Sequence, residues 1–358
     1  MYWATGEEAT VKVSADAEEP VSIWLNGDSR SDAMFRGDGI ANIDASEFEG
    51  EATLAGNNND NVITAGAGDT SLWGAGGNDT LIGNDGKDEF FFVKGDGEDV
   101  IQNFNPDEDV MNTSDAAVVA VGVEGDDLII SLGENDSVTV EGAAGQNINF
   151  TNSYVENETG ENASLLANIT EDEINYDGTA DLYWATGEEA TVTVDENAGE
   201  EAAIWLNNDA TREGNDARFM GDIAELDASN YAGNATLVGN DKDNVITAGS
   251  GNNSLWGGAS ASNDTLIGGE GADLFWYEKG NGDDVIVGST DKDTLNLYGI
   301  TLDDISSIDY DNNDIKLNIN GGGSLTIKDG VESGVTAKLA DGSTYTATAD
   351  GDKHWTKQ

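Results

Sequence analysis

Cysteine is absent and Pro occurs only 2 times in 358 residues. The first absence excludes disulfides and thiolate metal sites and leaves the redox compartment unmarked. The second leaves the turns to glycine, asparagine and aspartate, and Gly contributes 46 residues. His354 is the sole histidine and lies in the C-terminal tail, so histidine triads, general-base dyads and histidine zinc sites are not expected. Lys and Arg number 15 against 71 Asp and Glu, a formal charge of -56. Phosphate recognition needs clustered basic side chains, so nucleic acid and anionic membrane surfaces are poor partners. No apolar run reaches membrane-spanning length, and no membrane insertion is expected. The N-terminal Met1-Tyr2-Trp3-Ala4-Thr5-Gly6-Glu7 lacks the basic and apolar regions of a signal peptide. The sequence is therefore expected either to be an excised segment or to use another export signal.

A hydrophobic fraction of 37% is lean for large helical cores. The charge would oppose a compact state unless cations or salt neutralise it. Disorder is the competing reading of such a composition, but periodic apolar residues and 8 Trp argue for packing.

The chain is internally duplicated. Tyr2-Trp3-Ala4-Thr5-Gly6-Glu7-Glu8-Ala9-Thr10-Val11 recurs as Tyr183-Trp184-Ala185-Thr186-Gly187-Glu188-Glu189-Ala190-Thr191-Val192. Ile23-Trp24-Leu25-Asn26 likewise recurs as Ile204-Trp205-Leu206-Asn207, and Asp60-Asn61-Val62-Ile63 as Asp243-Asn244-Val245-Ile246. Two modules, 1–150 and 183–358, are expected on either side of a polar linker at 151–182 with a short helix around Ser164 to Ile174. A single fold made from both copies is the competing arrangement.

Within the first copy, apolar residues recur every nine positions at Ile63, Leu72, Leu81 and Phe90, with glycines between them. Gly74-Ala75-Gly76-Gly77-Asn78-Asp79-Thr80-Leu81-Ile82 and Gly83-Asn84-Asp85-Gly86-Lys87-Asp88-Glu89-Phe90-Phe91 each place one Asp in a glycine-rich turn before a short strand. Glycine supplies unusual backbone angles and lets carbonyls converge, while a carboxylate adds the anionic oxygen that a hard cation prefers. The pattern resembles the G-G-x-G-x-D-x-U-x nonapeptide of the repeats-in-toxin proteins, over roughly 56–101 and 239–286.

That resemblance implies an all-β chain: right-handed parallel β-roll modules, duplicated in tandem, with calcium between stacked turns. It assigns Asp79, Asp88 and Asp99 as calcium aspartates of the first copy and Asp264, Asp273 and Asp284 as those of the second. Turn carbonyls near Gly74, Gly76, Gly83, Gly257 and Gly268 complete the expected ligand set. Asn61, Thr70, Asn244 and Asn253 stand where the family has Asp, so those turns are expected to be weak or empty. The turn Gly257–Asp264 is two residues longer than the nonad and is expected to bulge and distort its site.

The flanks extend the pattern. Ile43 and Leu54, and Leu226 and Leu237, suggest coils before the glycine repeats. Leu128-Ile129-Ile130, Val138-Thr139-Val140, Ile315-Lys316-Leu317, Leu325-Thr326-Ile327 and Thr344-Tyr345-Thr346 suggest antiparallel β caps over open solenoid ends. A Trp at the last position of a nonad points away from the core, so Trp73 and Trp256 could stack on a sugar ring or a partner. Burial against a flanking loop is the alternative.

Arg30, Arg36, Arg212 and Arg218 are the only arginines, which disfavours the anionic polymers that β-helical lyases clamp with basic residues. Acidic pairs are too abundant to mark a catalytic dyad. The expectation is a non-enzymatic, calcium-binding structural or adhesive module of a secreted or bacterial cell-surface protein. Its partners would be calcium, neighbouring copies of itself or cell-surface glycan. The alternatives are an accessory region of a secreted enzyme and a neutral-glycan-binding module.

Overall fold

A computed structural model of the chain describes residues 2–3, 9–18, 20–25, 33–36, 40–113, 118, 120–133, 135–156, 162–170, 172–178, 182–199, 201–206, 217–347 and 355–357; His354 lies outside them. Two compact units, Met1–Glu171 and Asp172–Gln358, share one plan. In the first, the chain crosses between two parallel sheets and returns in every coil. One sheet stacks Ala9–Lys12, Ile40–Asp44, Val62–Thr64, Thr80–Ile82, Glu98–Gln102 and Asp136–Val140. The other stacks Val21–Trp24, Ala52–Ala55, Thr70–Trp73, Glu89–Phe91, Val110–Asn112 and Ile148–Glu156.

Period-two alternation explains why such short strands suffice. Val62–Thr64, Thr80–Ile82 and Glu89–Phe91 each turn one central side chain inward and leave its neighbours half-buried or exposed. In register, these central residues form the rows Ile43, Ile63, Leu81, Ile101, Val140 and Ile23, Leu54, Leu72, Phe90, Met111, Phe150. All are buried, and each contributes roughly 1.5–3 kcal/mol from its removed apolar surface. The second unit repeats this with Val192, Leu226, Ile246, Leu266, Ile286, Ile327 and Ile204, Leu237, Leu255, Phe275, Leu295, Ala337. The coils thus begin before the glycine-rich stretch in both units.

The turns stack too closely for side chains. Gly77 has φ +124°, and a Cβ there would meet the carbonyl carbon of Asn59 in the preceding coil at 2.7 Å. Only glycine satisfies both the angle and the approach.

Each unit ends in antiparallel strands. In the first, Asp127–Gly133 pairs with Ala120–Glu124 and with Asp136–Val140. In the second, Ile305–Asp311, Asp314–Ile319 and Ser324–Ile327 form one such set and Thr336–Lys338, Thr344–Ala347 and Trp355–Lys357 another. Asp136–Val140 and Ser324–Ile327 are also the last parallel strands of their sheets. The caps therefore grow from the final coil and cover its open edge.

The segment 151–182, expected to be a polar linker with a short helix around Ser164 to Ile174, contains β-strands instead where it is described. Ile148–Glu156 folds back on Asn162–Thr170, with Ile148 opposite Ile169 and Glu156 opposite Asn162. Glu173–Tyr176 pairs with Ala190–Val194 and starts the second unit. An exposed parallel edge at Ile148–Glu156 would leave backbone groups unpaired, and the returning strand satisfies them.

Candidate metal sites in the stacked turns

Asp79, Asp88, Asp264 and Asp273 lie in the turns just before a strand, Asp99 and Asp284 are the second residues of the strands Glu98–Gln102 and Asp283–Val287, and all six are at most 3% exposed. Each carboxylate reaches back to the coil before it. Asp79 Oδ1 accepts the N–H of Asn61 at 2.6 Å, and Asp99 Oδ1 that of Asp79 at 2.8 Å. On the opposite edge Asp88 Oδ1 accepts from Thr70 at 3.0 Å. In the second unit Asp264 accepts from Asn244, Asp284 from Asp264 and Asp273 from Asn253, at 2.8, 3.0 and 2.9 Å. The result is a ladder of carboxylates along each edge, 18 or 20 residues per rung.

Two rungs were not anticipated. Asp109 Oδ1 accepts the N–H of Asp88 and Asp293 Oδ1 that of Asp273, at 2.9 and 2.8 Å, and both aspartates are 1% exposed. Their turns lack the glycine pattern, but Asp109-Val110-Met111 and Asp293-Thr294-Leu295 keep the Asp, strand, inward-apolar order. A second ladder runs the other way from the preceding position. Asp60 Oδ1 accepts from Asn78, Asp69 from Lys87 and Asn78 from Glu98, one coil later. The repeated Asp or Asn doublets were its signal in the sequence.

Four of the five named glycines lie beneath these carboxylates. A Cβ on Gly83 or Gly268 would stand 3.2 and 3.3 Å from Oδ2 of Asp88 and Asp273, and one on Gly74 or Gly257 would collide with Asp79 and Asp264. Gly76 instead faces Asn58 of the preceding coil. The longer turn is absorbed without loss of register. Thr265 still pairs with Val245, Asp264 keeps both ladder bonds, and Ser262 Oγ donates to Asp264 Oδ2 at 3.2 Å. The extra length falls at 259–262, where Ala259 and Ala261 are exposed and Ser262 stays buried against Asp264.

Burial pushes Asp79, Asp88 and Asp99 up to about 7, Asp264 to about 6 and Asp284 to about 8, and the donated N–H groups oppose this without cancelling it. The ion pairs formed by described residues are Lys12–Asp44, Lys242–Asp222, Lys279–Asp304 and Lys328–Asp314, and none includes a ladder aspartate. Asp79 Oδ2 is buried without any hydrogen-bond partner. Desolvated carboxylates need a counter-charge or a proton. The donor set, hard anionic oxygens among turn carbonyls, suits calcium. Among the described residues no three acidic or imidazole side chains converge on one point, so backbone carbonyls would complete any oxygen shell.

The amide turns differ. Asn61 Oδ1 accepts from Asn57 N–H at 2.8 Å while its Nδ2 donates to the carbonyl of Ala41 at 2.8 Å. Asn244 does the same with Asn240 and Ile223. An amide carries both donor and acceptor, so these turns close without a cation.

The two candidate stacking residues part company. Trp73 is half-buried, its ring edge-on to Trp24 at 6.1 Å and its indole N–H donated to Asp96 Oδ2 at 2.9 Å. Trp256 lines an open groove of about 350 Å³ on the outer face of the second unit.

Comparison with known proteins accords with this geometry. Residues 55–90, 230–261, 259–282 and 280–299 match the family model of the RTX calcium-binding nonapeptide repeat. No curated protein matches the chain. Among 16 matching chains of solved structures is the extracellular lipase LipA from Serratia marcescens, with 17% identity and a TM-score of 0.23, covering 77% of this chain and 37% of that one. Asp79 and Asp88, and Asp264, Asp273, Asp284 and Asp293, fall inside the matched repeats; Asp99 and Asp109 fall outside them.

Proposed function

We propose, from RTX calcium-binding nonapeptide repeats in both units, that this chain is a structural or adhesive module of a secreted or cell-surface protein. It would rigidify on meeting extracellular calcium. One observation carries the reading: rows of buried aspartates that, among the described residues, no lysine or arginine neutralises. Asp79, Asp88, Asp99, Asp264, Asp273 and Asp284 would hold the ion with turn carbonyls, and Asp109 and Asp293 extend the same rows. Bound calcium supplies positive charge where the fold concentrates carboxylates, joining successive turns. Without it, mutual repulsion and desolvation of these groups oppose stacking. A calcium-poor cell interior would therefore hold the chain loose for export. The repeats support a structural role rather than a catalytic one, since their acidic groups serve rung-to-rung bonding.

Circular dichroism of the exhaustively chelated chain, titrated with calcium and controlled with magnesium and molar KCl, tests this reading. Strand signal or thermal stability should rise with calcium at millimolar concentration or below. A chelated chain that is fully stable and indifferent to calcium would overturn it, and folding driven equally by KCl would point to salt adaptation instead.

A neutral glycan is the adhesive partner favoured by the groove of the second unit. Trp205, Val238, Trp256 and Trp276 lie in register on four adjacent strands, a row of about 14 Å at 4.8 Å per strand. Tyr298, 58% exposed, and Glu278 complete the wall. Indole faces suit the apolar faces of sugar rings, and a lining without Lys or Arg argues against anionic polymers. A glycan array at saturating calcium should give hits that Trp256→Ala and Trp276→Ala abolish. Binding of organic cations in place of sugars would redirect the reading, and an empty array would remove it.

A further inference from the structure

The two units share a scaffold, so a place where buried charge differs between them is informative. The last parallel strand of the first unit opens with Asp136 and pairs Ser137 with Glu98; Ser137 N–H donates to Gly97 O at 2.9 Å. In the second unit Ser324 pairs with Asp283 and donates to Gly282 O at 3.0 Å. Gly323 therefore stands where Asp136 stands, and Asn281 stands where Asp96 stands.

The second unit fills this place with neutral groups. Tyr277 Oη donates to Gly282 O at 2.9 Å, and Asn281 Nδ2 donates to Gly258 O at 2.8 Å. A Cβ on Gly323 would meet Tyr277 Oη at 2.6 Å, so the phenol takes the space that a side chain at 323 would need. The first unit has Phe92 at the tyrosine's register, which brings no hydroxyl.

In its place are two carboxylates. Asp96 and Asp136 are 6% and 5% exposed. Asp96 Oδ2 takes both available donors, Trp73 Nε1 and Val93 N–H, each at 2.9 Å, leaving Oδ1. Asp136 Oδ2 accepts Gly95 N–H at 2.6 Å, while its Oδ1 is buried with no hydrogen-bond partner. Asp136 thus binds the N–H of the residue next to Asp96 in the chain, and Ser137 beside it pairs with Glu98, two residues beyond Asp96. Lys94 is exposed, and among the described residues neither aspartate belongs to an ion pair.

Two buried carboxylates, one with an orphaned oxygen, make an anionic pocket with unfilled valence. We propose that Asp96 and Asp136 form an additional calcium site in the first unit, beyond the nonapeptide pattern, and that the second unit lacks its counterpart. The proposal rests on the calcium reading above. Backbone carbonyls and water would supply the remaining oxygens of a six- to eight-fold shell. The site ties the cap, which supplies Asp136, to the last glycine turn, which supplies Asp96. It thereby closes the first unit by charge where the second closes by a phenol.

The test counts calcium bound per full-length chain by equilibrium dialysis, comparing wild type with Asp136→Asn and Asp96→Asn, with circular dichroism as the check on folding. Each variant should bind one ion fewer while the other sites keep their midpoints. A wild type that binds no calcium would bring down the underlying reading as well. Variants that are folded and bind as many ions as wild type would bring down this site alone. Terbium emission sensitised by indole gives a second readout that does not depend on the acidic variants folding. Trp73→Phe, which removes the indole bonded to Asp96, should lose part of the emission at unchanged ion count; unchanged emission would also overturn the site.

Discussion

The backbone N–H of Asp79 donates to Oδ1 of Asp99, 20 residues further along the chain, at 2.8 Å. This bond binds one turn to the next through a group that would also hold a cation. On the calcium reading proposed above, stacking order and metal affinity would share the same carboxylates, and removing one should disturb both.

Asp79→Asn and Asp264→Asn test that coupling. An amide can still accept the N–H of Asn61 or Asn244, but it brings no charge. Each variant should shift the calcium midpoint upward and reduce calcium-dependent stabilisation by about 2.7 kcal/mol per site at a hundredfold excess of calcium over Kd. Thermal melts with and without chelator measure the difference. Equal calcium-dependent gains in wild type and variant would count against these residues as ligands.

Protons should substitute in part for the cation. Burial places Asp79, Asp88 and Asp99 at about 7 and Asp284 at about 8, above the ordinary carboxylate value of 3.8. A group raised on folding contributes stability that is complete below its unfolded value and lost as pH rises through its folded value. The chelated chain should therefore melt at higher temperature at pH 5 than at pH 8.5, a window in which ordinary surface carboxylates stay ionised. Calcium affinity should fall over the same acid shift, because ligands must be ionised to bind. A chelated melting temperature that is flat or falls on acidification would contradict the assignment.

Asn61→Asp should convert a closed turn into an ionic one. It removes the amide donation to Ala41 O and sets a carboxylate against that carbonyl, so the chelated chain should lose about 1–3 kcal/mol. With calcium, the ion count should rise by one. Calorimetric titration reads the count, and an unchanged count would mean that the turn lacks the other ligands.

Leu81→Ala probes the core independently of metal. Leu81 is fully buried between Ile63 and Ile101, so the substitution should cost about 2–5 kcal/mol. The loss should appear equally in calcium and in chelator, unlike that of the aspartate variants. Urea unfolding in both buffers makes the comparison.

Much of this was legible because a solenoid is nearly one-dimensional. Ile63, Leu72, Leu81 and Phe90 at nine-residue spacing imply alternating inward strands, and the glycines between them imply turns too tight for side chains. Asp79 and Asp88 were readable for the same reason, each standing two residues before an inward apolar side chain. Asp109 was missed because its turn contains Pro106 and no glycine. The helix expected around Ser164 to Ile174 was misread from polar composition, which is silent about an unpaired sheet edge waiting nearby.

The period, the inward residues, the duplication and the excess of negative charge were determined by the sequence alone, since each is a local or additive property of the chain. Which coil each carboxylate reaches was decided only by the tertiary structure. Asp136 lies 40 residues from Asp96 in sequence, and it reaches the Gly95 N–H beside Asp96 because the cap strand Asp136–Val140 joins Glu98–Gln102 in parallel. Asp136 is buried with an orphaned oxygen where Gly323 yields to Tyr277. Such differences arise at the ends of the repeat, where register is set by sheet closure rather than by the period.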